Sequence, residues 1–163
     1  MHFLPYDPAF VATVRAGGPD ANGQPAERAV STGPGTPCRS CLENIEDGVP
    51  MLILAARPFP DPQPYAETGP IFLHAAVCKP WTGSGVPPIL AAAPEYLIKG
   101  YSSDNRILYG TGEVVRAEVL PSAIADRLAR QDVAFVDVRS ARNNCFQARA
   151  VRDEAISVAG TSA

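Results

Sequence analysis

No apolar run in the chain approaches the roughly 20 residues that cross a bilayer; the most apolar stretches, 51–56 and 89–93, both end at prolines. A basic excess is missing too. Fourteen Lys and Arg against seventeen Asp and Glu leave a net charge of −3, which offers no field to hold nucleic-acid phosphates or an anionic membrane surface. The opening residues Met1-His2-Phe3-Leu4-Pro5 have neither the charged start nor the long apolar stretch of a secretory leader, so a cytoplasmic location is expected. Histidine is scarce: with two in the whole chain, imidazole general bases have few places to stand.

Proline and glycine are abundant. Seventeen Pro and thirteen Gly among 163 residues predict many connections and short elements. Hydrophobic residues reach 46%, and a chain of this length buries roughly 70% of its unfolded surface, so a core forms without disulfide staples. The four cysteines at 38, 41, 78 and 145 are therefore better read as thiols, metal ligands or reactive groups than as staples.

Along the chain, Asp7-Pro8 supplies an N-cap and a first-turn proline for a short helix closed at Gly17-Gly18. Residues 19–25 are polar and predict a mobile loop. A weak strand is expected over 28–32, and a strand apolar on both faces over 51–57. Over 71–74 alternation sets Phe72 and His74 on one face and Ile71 and Leu73 on the other. A hairpin is predicted from 96–101 and 106–109 around Ser102-Ser103-Asp104-Asn105, followed by a strand over 113–118. Leu120-Pro121-Ser122 opens an amphipathic helix, and 133–139 with 145–151 make a last strand pair. These six or seven strands and two or three short helices, with connections too short for parallel crossovers, predict one α+β domain over 1–155 with a largely antiparallel sheet. Residues 156–163 are expected to form a flexible tail.

Two constellations carry chemistry. Cys38-Arg39-Ser40-Cys41 brings two thiols together, and His74-Ala75-Ala76-Val77-Cys78 supplies a second pair, so Cys38, Cys41, His74 and Cys78 form a Cys₃His set suited to a tetrahedral structural zinc. The plain alternative is that these thiols pack as small apolar side chains. A redox role for the CxxC is disfavoured by the acidic residues that follow it, Glu43, Glu46 and Asp47. The second constellation is the 139–145 turn, where Arg139, Arg142, Asn143, Asn144 and Cys145 crowd guanidinium forks, amides and a thiol into one connection. Such a turn suits a small anion, and Cys145 beside two arginines is a candidate nucleophile. Ordinary hairpin chemistry is the competing account. Tyr65 and Glu67, in the connection before the 71–74 strand, are placed on the rim of the same cleft.

Taken in order, Pro37-Cys38-Arg39-Ser40-Cys41-Leu42, the run from Pro64-Tyr65-Ala66-Glu67 to Leu73-His74, Gly100-Tyr101 with Tyr109-Gly110, and Ser140-Ala141-Arg142-Asn143-Asn144-Cys145-Phe146 resemble the bacterial domain of unknown function 1203 family over about residues 28–152. The resemblance implies a single domain and singles out Cys38, the 65–74 segment and the 142–145 turn; it brings no assigned activity with it. Two functional expectations follow. The favoured one is a small-anion or metabolite pocket lined by the 139–145 turn and the 65–74 segment, with catalysis at Cys145 as its enzymatic form. The other is a non-catalytic interaction domain held by structural zinc. Neither sets an oligomeric state, and no nucleic acid or membrane is expected as a partner.

Overall fold

The Asp7 carboxylate accepts a hydrogen bond from the Ala9 amide (3.0 Å) and so caps the first helix, α1 (Pro8–Arg15), which buries Val11 and Val14 and ends before Gly17 at φ 89°. In the computed structural model, which describes residues 1–153, α1 packs on a three-stranded antiparallel sheet. Its strands are β2 (Glu27–Val30), β3 (Pro50–Ala56) and β4 (Gly69–His74), with β3 in the centre. The loop between α1 and β2 is a correction to the sequence reading, because it is pinned rather than free. Asp20 accepts hydrogen bonds from the amides of Asn22, Gln24 and Ala55, tying the loop to β3.

A second, five-stranded sheet runs β1-β8-β7-β5-β6, antiparallel throughout, from β1 (His2–Leu4), β5 (Glu95–Tyr101), β6 (Glu113–Arg116), β7 (Phe135–Ser140) and β8 (Phe146–Val151). The second helix, α2 (Leu120–Leu128), covers one face, where Ile98, Val136, Val138, Ala148 and Ala150 meet Leu120, Ile124 and Leu128. The α+β, largely antiparallel expectation therefore holds, with eight strands among the described residues. The additional strand is β1, a three-residue segment too short to show alternation, which pairs with the edge of β8. The expected tail over 156–163 lies outside the described residues.

The predicted 96–109 hairpin is half right. Its turn exists, with Asn105 at φ 63°, but 106–109 contributes one bridge (Tyr101 with Ile107), and the partner of β5 is β6. Thr111 is the reason. Its hydroxyl caps the Leu108 carbonyl (2.6 Å) and accepts the Gly100 amide (2.9 Å), so the chain bends at 108–112 and strand pairing resumes beyond it. A Cβ at Gly100 would stand 3.0 Å from the Thr111 side chain, which is why the close approach needs glycine.

The face of the large sheet away from α2 is built differently. Alternation along β7 that sends Val136 and Val138 to α2 sends Phe135, Asp137 and Arg139 to the other side, beneath the proline-rich 57–70 connection. There Tyr101 stacks on Phe135 (5.0 Å, 9°), and the fully buried Asp137 takes both Nε (2.7 Å) and Nη2 (3.0 Å) of Arg149. Burial and the nearby Asp137 charge push the Tyr101 hydroxyl above its ordinary range.

Candidate metal centre and the Arg139 cleft

Four connections converge where the small sheet ends. Cys38 makes a parallel bridge with Phe72, and the Leu42 amide donates to the Cys38 carbonyl (2.9 Å), closing a turn that sets Cys41 beside it. His74 is the last residue of β4, and the bend after it brings back Cys78. The four donor atoms lie within 4.8 Å of one another. Cys38 Sγ is 3.8 Å from Cys78 Sγ, far beyond a disulfide bond, and Cys41 Sγ is 3.5 Å from His74 Nδ1. Zinc with Zn–S of about 2.3 Å and Zn–N of about 2.0–2.1 Å in a tetrahedron gives S···S edges of about 3.8 Å and S···N edges of about 3.5 Å. The two measured contacts match two opposite edges of that tetrahedron.

The surroundings favour one thiolate, that of Cys38. Hydrogen bonding from the Cys41 thiol, with the backbone amides of Cys41, His74 and Ser40, outweighs burial and holds the Cys38 thiol down to about 4. The Cys41 thiol is pushed the other way, because its proton serves Cys38 and because it too is buried. Two arginines stand at the cluster. Arg15, at the end of α1, donates from Nη2 to Cys78 Sγ (3.0 Å) and from Nε to the His74 carbonyl (3.2 Å). Arg39, inside the CxxC, is buried and donates Nε to the Phe146 carbonyl (2.8 Å). It meets no carboxylate among the described residues; burial pulls its guanidinium down to about 10, and the neighbouring Cys145 and Cys38 sulfurs oppose that. Sequence reasoning found the four donors and missed these two cations. Arg39's position within the motif was the available signal; Arg15's role depends on a tertiary contact that spacing does not encode.

The second constellation is brought together in part. Glu67, Thr68, Arg139, Asn143, Asn144 and Cys145 line one cavity of about 410 Å³, so the 139–145 turn and the connection before β4 do meet. Two expected members stand elsewhere. Arg142 is exposed at the turn tip, with no side-chain hydrogen bond or ion pair among the described residues. Tyr65 turns away after the Glu67-to-Tyr65 backbone bond (3.1 Å) and lies under the Arg106 guanidinium (5.3 Å), its hydroxyl 3.5 Å from that of Tyr109. His74, the last residue of the expected lining segment, belongs to the metal cluster instead.

Within the cavity Arg139 is answered in part: its Nε and Nη2 are buried without a hydrogen-bond partner among the described residues. Its Nη1 lies 2.8 Å from Glu67 Oε2 and donates to the Asn144 carbonyl (3.1 Å), and Lys99 Nζ reaches Glu67 from the neighbouring strand (3.2 Å). Burial raises the Glu67 carboxyl, but the charges of Arg139 and Lys99 and their hydrogen bonds outweigh it and hold the group below its ordinary range. Cys145 Sγ lies near the Asn143 carbonyl (3.7 Å), and both histidines are committed elsewhere: His74 to the cysteine cluster, His2 to Asp153 (3.1 Å). A Cys145 nucleophile therefore has no imidazole base beside it.

A family model described as Protein of unknown function (DUF1203) matches residues 35–152. The chain belongs to that family. The match includes every residue of both constellations. No curated protein and no solved structure matches the chain. Among the described residues no helix is long and apolar enough to cross a membrane.

Proposed function

We propose that this member of the DUF1203 family is a non-catalytic binding domain whose smaller sheet is locked by one structural zinc ion on Cys38, Cys41, His74 and Cys78. The observation that carries the reading is the pair of opposite donor contacts, 3.8 Å and 3.5 Å, at the spacing a zinc tetrahedron sets. Four protein donors fill the coordination shell, which marks a structural ion rather than one with a position open for substrate. Three thiolates and one imidazole on Zn²⁺ carry a net charge of −1, which Arg15, hydrogen-bonded to Cys78 Sγ, and the charge of the buried Arg39 near Cys38 compensate. The role of the ion is to join α1, the CxxC turn, β4 and the following bend around the core they share.

The test is elemental analysis of tag-free protein purified under reducing conditions, followed by replacement of the metal with Co²⁺. About one zinc per chain, and tetrahedral cobalt bands with sulfur-to-metal charge transfer that vanish in Cys41→Ser, support the reading. Less than a tenth of an equivalent, with no cobalt spectrum on reconstitution, overturns it.

The anion-pocket reading stands second. What favours it is the shared 410 Å³ cavity with the Asn143 and Asn144 amides and the Thr68 hydroxyl in or near its wall. An anion there competes with Glu67 for Nη1 of Arg139, while Nε and Nη2 of the same guanidinium are left without a partner.

A further inference from the structure

On the other side of Phe146 and Pro58 from the Arg139 cavity lies a larger cleft of about 670 Å³, within the range of small-molecule sites. Its walls come from four separated segments: the chain around the start of α1, the pinned 19–21 loop, the connection leaving β3, and β8. Aromatic rings dominate one side. Tyr6 packs against Phe10 (centroids 5.2 Å, tilted 54°) and edge-on against Phe146 (6.1 Å, 80°), while Phe59 closes the opposite wall.

Four charged side chains line this cleft: Asp7, Asp20, Arg57 and Arg149. Three are already committed. Asp7 caps α1, Asp20 accepts three backbone amides, and Arg149 is held by Asp137, by the Pro58 carbonyl (2.7 Å) and over the Phe135 ring (3.6 Å). Arg57 is different. It has no side-chain hydrogen bond or ion pair among the described residues, and its Nε is buried without a partner. A guanidinium that the protein leaves unmatched is a donor that a ligand carboxylate can satisfy on binding.

We infer that this cleft is a binding site for a small organic acid with a flat apolar body, whose carboxylate pairs with Arg57 while its ring system lies among Tyr6, Phe10, Phe59 and Phe146. Arg gives a carboxylate a two-pronged donor fork, and aromatic walls favour offset or edge-on contact with a planar ligand. Asp7 and Asp20 in the same wall select against a second negative charge, so monoacids are preferred to diacids. The site is independent of the metal centre and of the Arg139 cavity.

The experiment uses the full-length, metal-loaded protein and 2-naphthoate as probe, with 2-naphthamide as its uncharged isostere, read by calorimetry and saturation-transfer NMR. Submillimolar binding of naphthoate, at least tenfold weaker binding of naphthamide, and at least a tenfold loss of naphthoate affinity in Arg57→Gln support the site. Arg142→Gln, at the exposed turn tip, is expected to leave the affinity unchanged. A Phe10→Ala variant is expected to weaken acid and amide alike, because both use the rings. Equal affinities for acid and amide, an Arg57→Gln protein whose melting temperature is retained and whose affinity is unaltered, or no binding at millimolar probe each overturn the proposal.

Discussion

The two sheets close their cores by different chemistry. The five-stranded sheet has a helix across one face and sixteen buried residues in the cluster beneath it, so apolar burial suffices there, and polar pairs such as Asp137–Arg149 are confined to the face under the 57–70 connection. The three-stranded sheet has fewer strands. It has one eight-residue helix, and β2 is largely exposed along its length. Its cluster holds twelve buried residues, Cys38 among them, and Cys41, His74 and Cys78 gather beside that thiol. A metal held by those four donors would contribute folding energy to this region directly.

Removing the proposed zinc has the largest expected effect, and an uneven one. Structural zinc sites in small domains contribute apparent free energies of about 10–16 kcal/mol at neutral pH. In this chain part of that remains covered by the second core. Chelation, or Cys38→Ser, is expected to lower the melting temperature by well over 10 °C and to raise amide exchange in α1, β3 and β4 before β5, β7 and β8. If exchange rises equally in both sheets, the two regions form one cooperative unit and the comparison fails.

The next effect belongs to the larger sheet. Asp137 is fully buried against Arg149, and removing one member of a buried pair costs about 3–5 kcal/mol because the other charge is left unmatched. Asp137→Ala is thus expected to destabilise strongly while leaving the metal content at the wild-type level. Glu118→Ala, which breaks an exposed pair with Arg116, is expected to change stability by no more than about 1 kcal/mol. Denaturant melts of the two variants beside their zinc content check both statements. Loss of metal in Asp137→Ala would show that the polar face supports the cysteine cluster, which the contacts do not indicate.

Much of this division was legible in the sequence, and its gaps have physical causes. The β7–β8 pair reads clearly because alternation is strong on both sides of an Asn-Asn turn, and the donor set reads clearly because CxxC fixes two ligands locally. The cleft membership of Tyr65 and Arg142 did not read correctly. A tight turn between Tyr65 and Glu67 and a register shift at Val138/Arg139 each change which way the next side chains face, and neither leaves a mark on composition. Asp137 shows a different gap. A carboxylate in a strand looks solvent-facing by pattern, and only the arrival of Arg149 from β8 and the proline-rich cover from 57–70 makes it buried. The unmatched Arg57 is invisible for the same reason, since lacking a partner is a property of the folded neighbourhood.

A smaller effect sits at the start of α1. Asp7→Ala removes the N-cap and is expected to cost about 1 kcal/mol, measured by thermal denaturation. With the metal bound, the loss is expected to leave the zinc equivalent intact; after chelation, the same substitution is expected to shift the melting temperature of the small sheet rather than the large one.

The smallest expected effect tests how the two regions are joined at Glu67, in the connection that leads from β3 to β4 and reaches over to Arg139 and Lys99 on the large sheet. Its carboxyl lies below the ordinary range in the folded protein, so the charged form favours folding. The sign follows directly: a depressed folded pKa contributes stability that is complete above the unfolded value of about 4.3 and disappears as pH falls through the folded value. Glu67→Gln is therefore expected to melt slightly below the wild type at pH 7, with the gap closing as the solution is taken below about pH 4. Metal release in acid acts on both proteins and cancels in the difference. A gap that persists unchanged into acid would assign the Glu67 contribution to hydrogen-bond geometry that Gln disturbs, and would leave charge with no part in holding the two sheets together there.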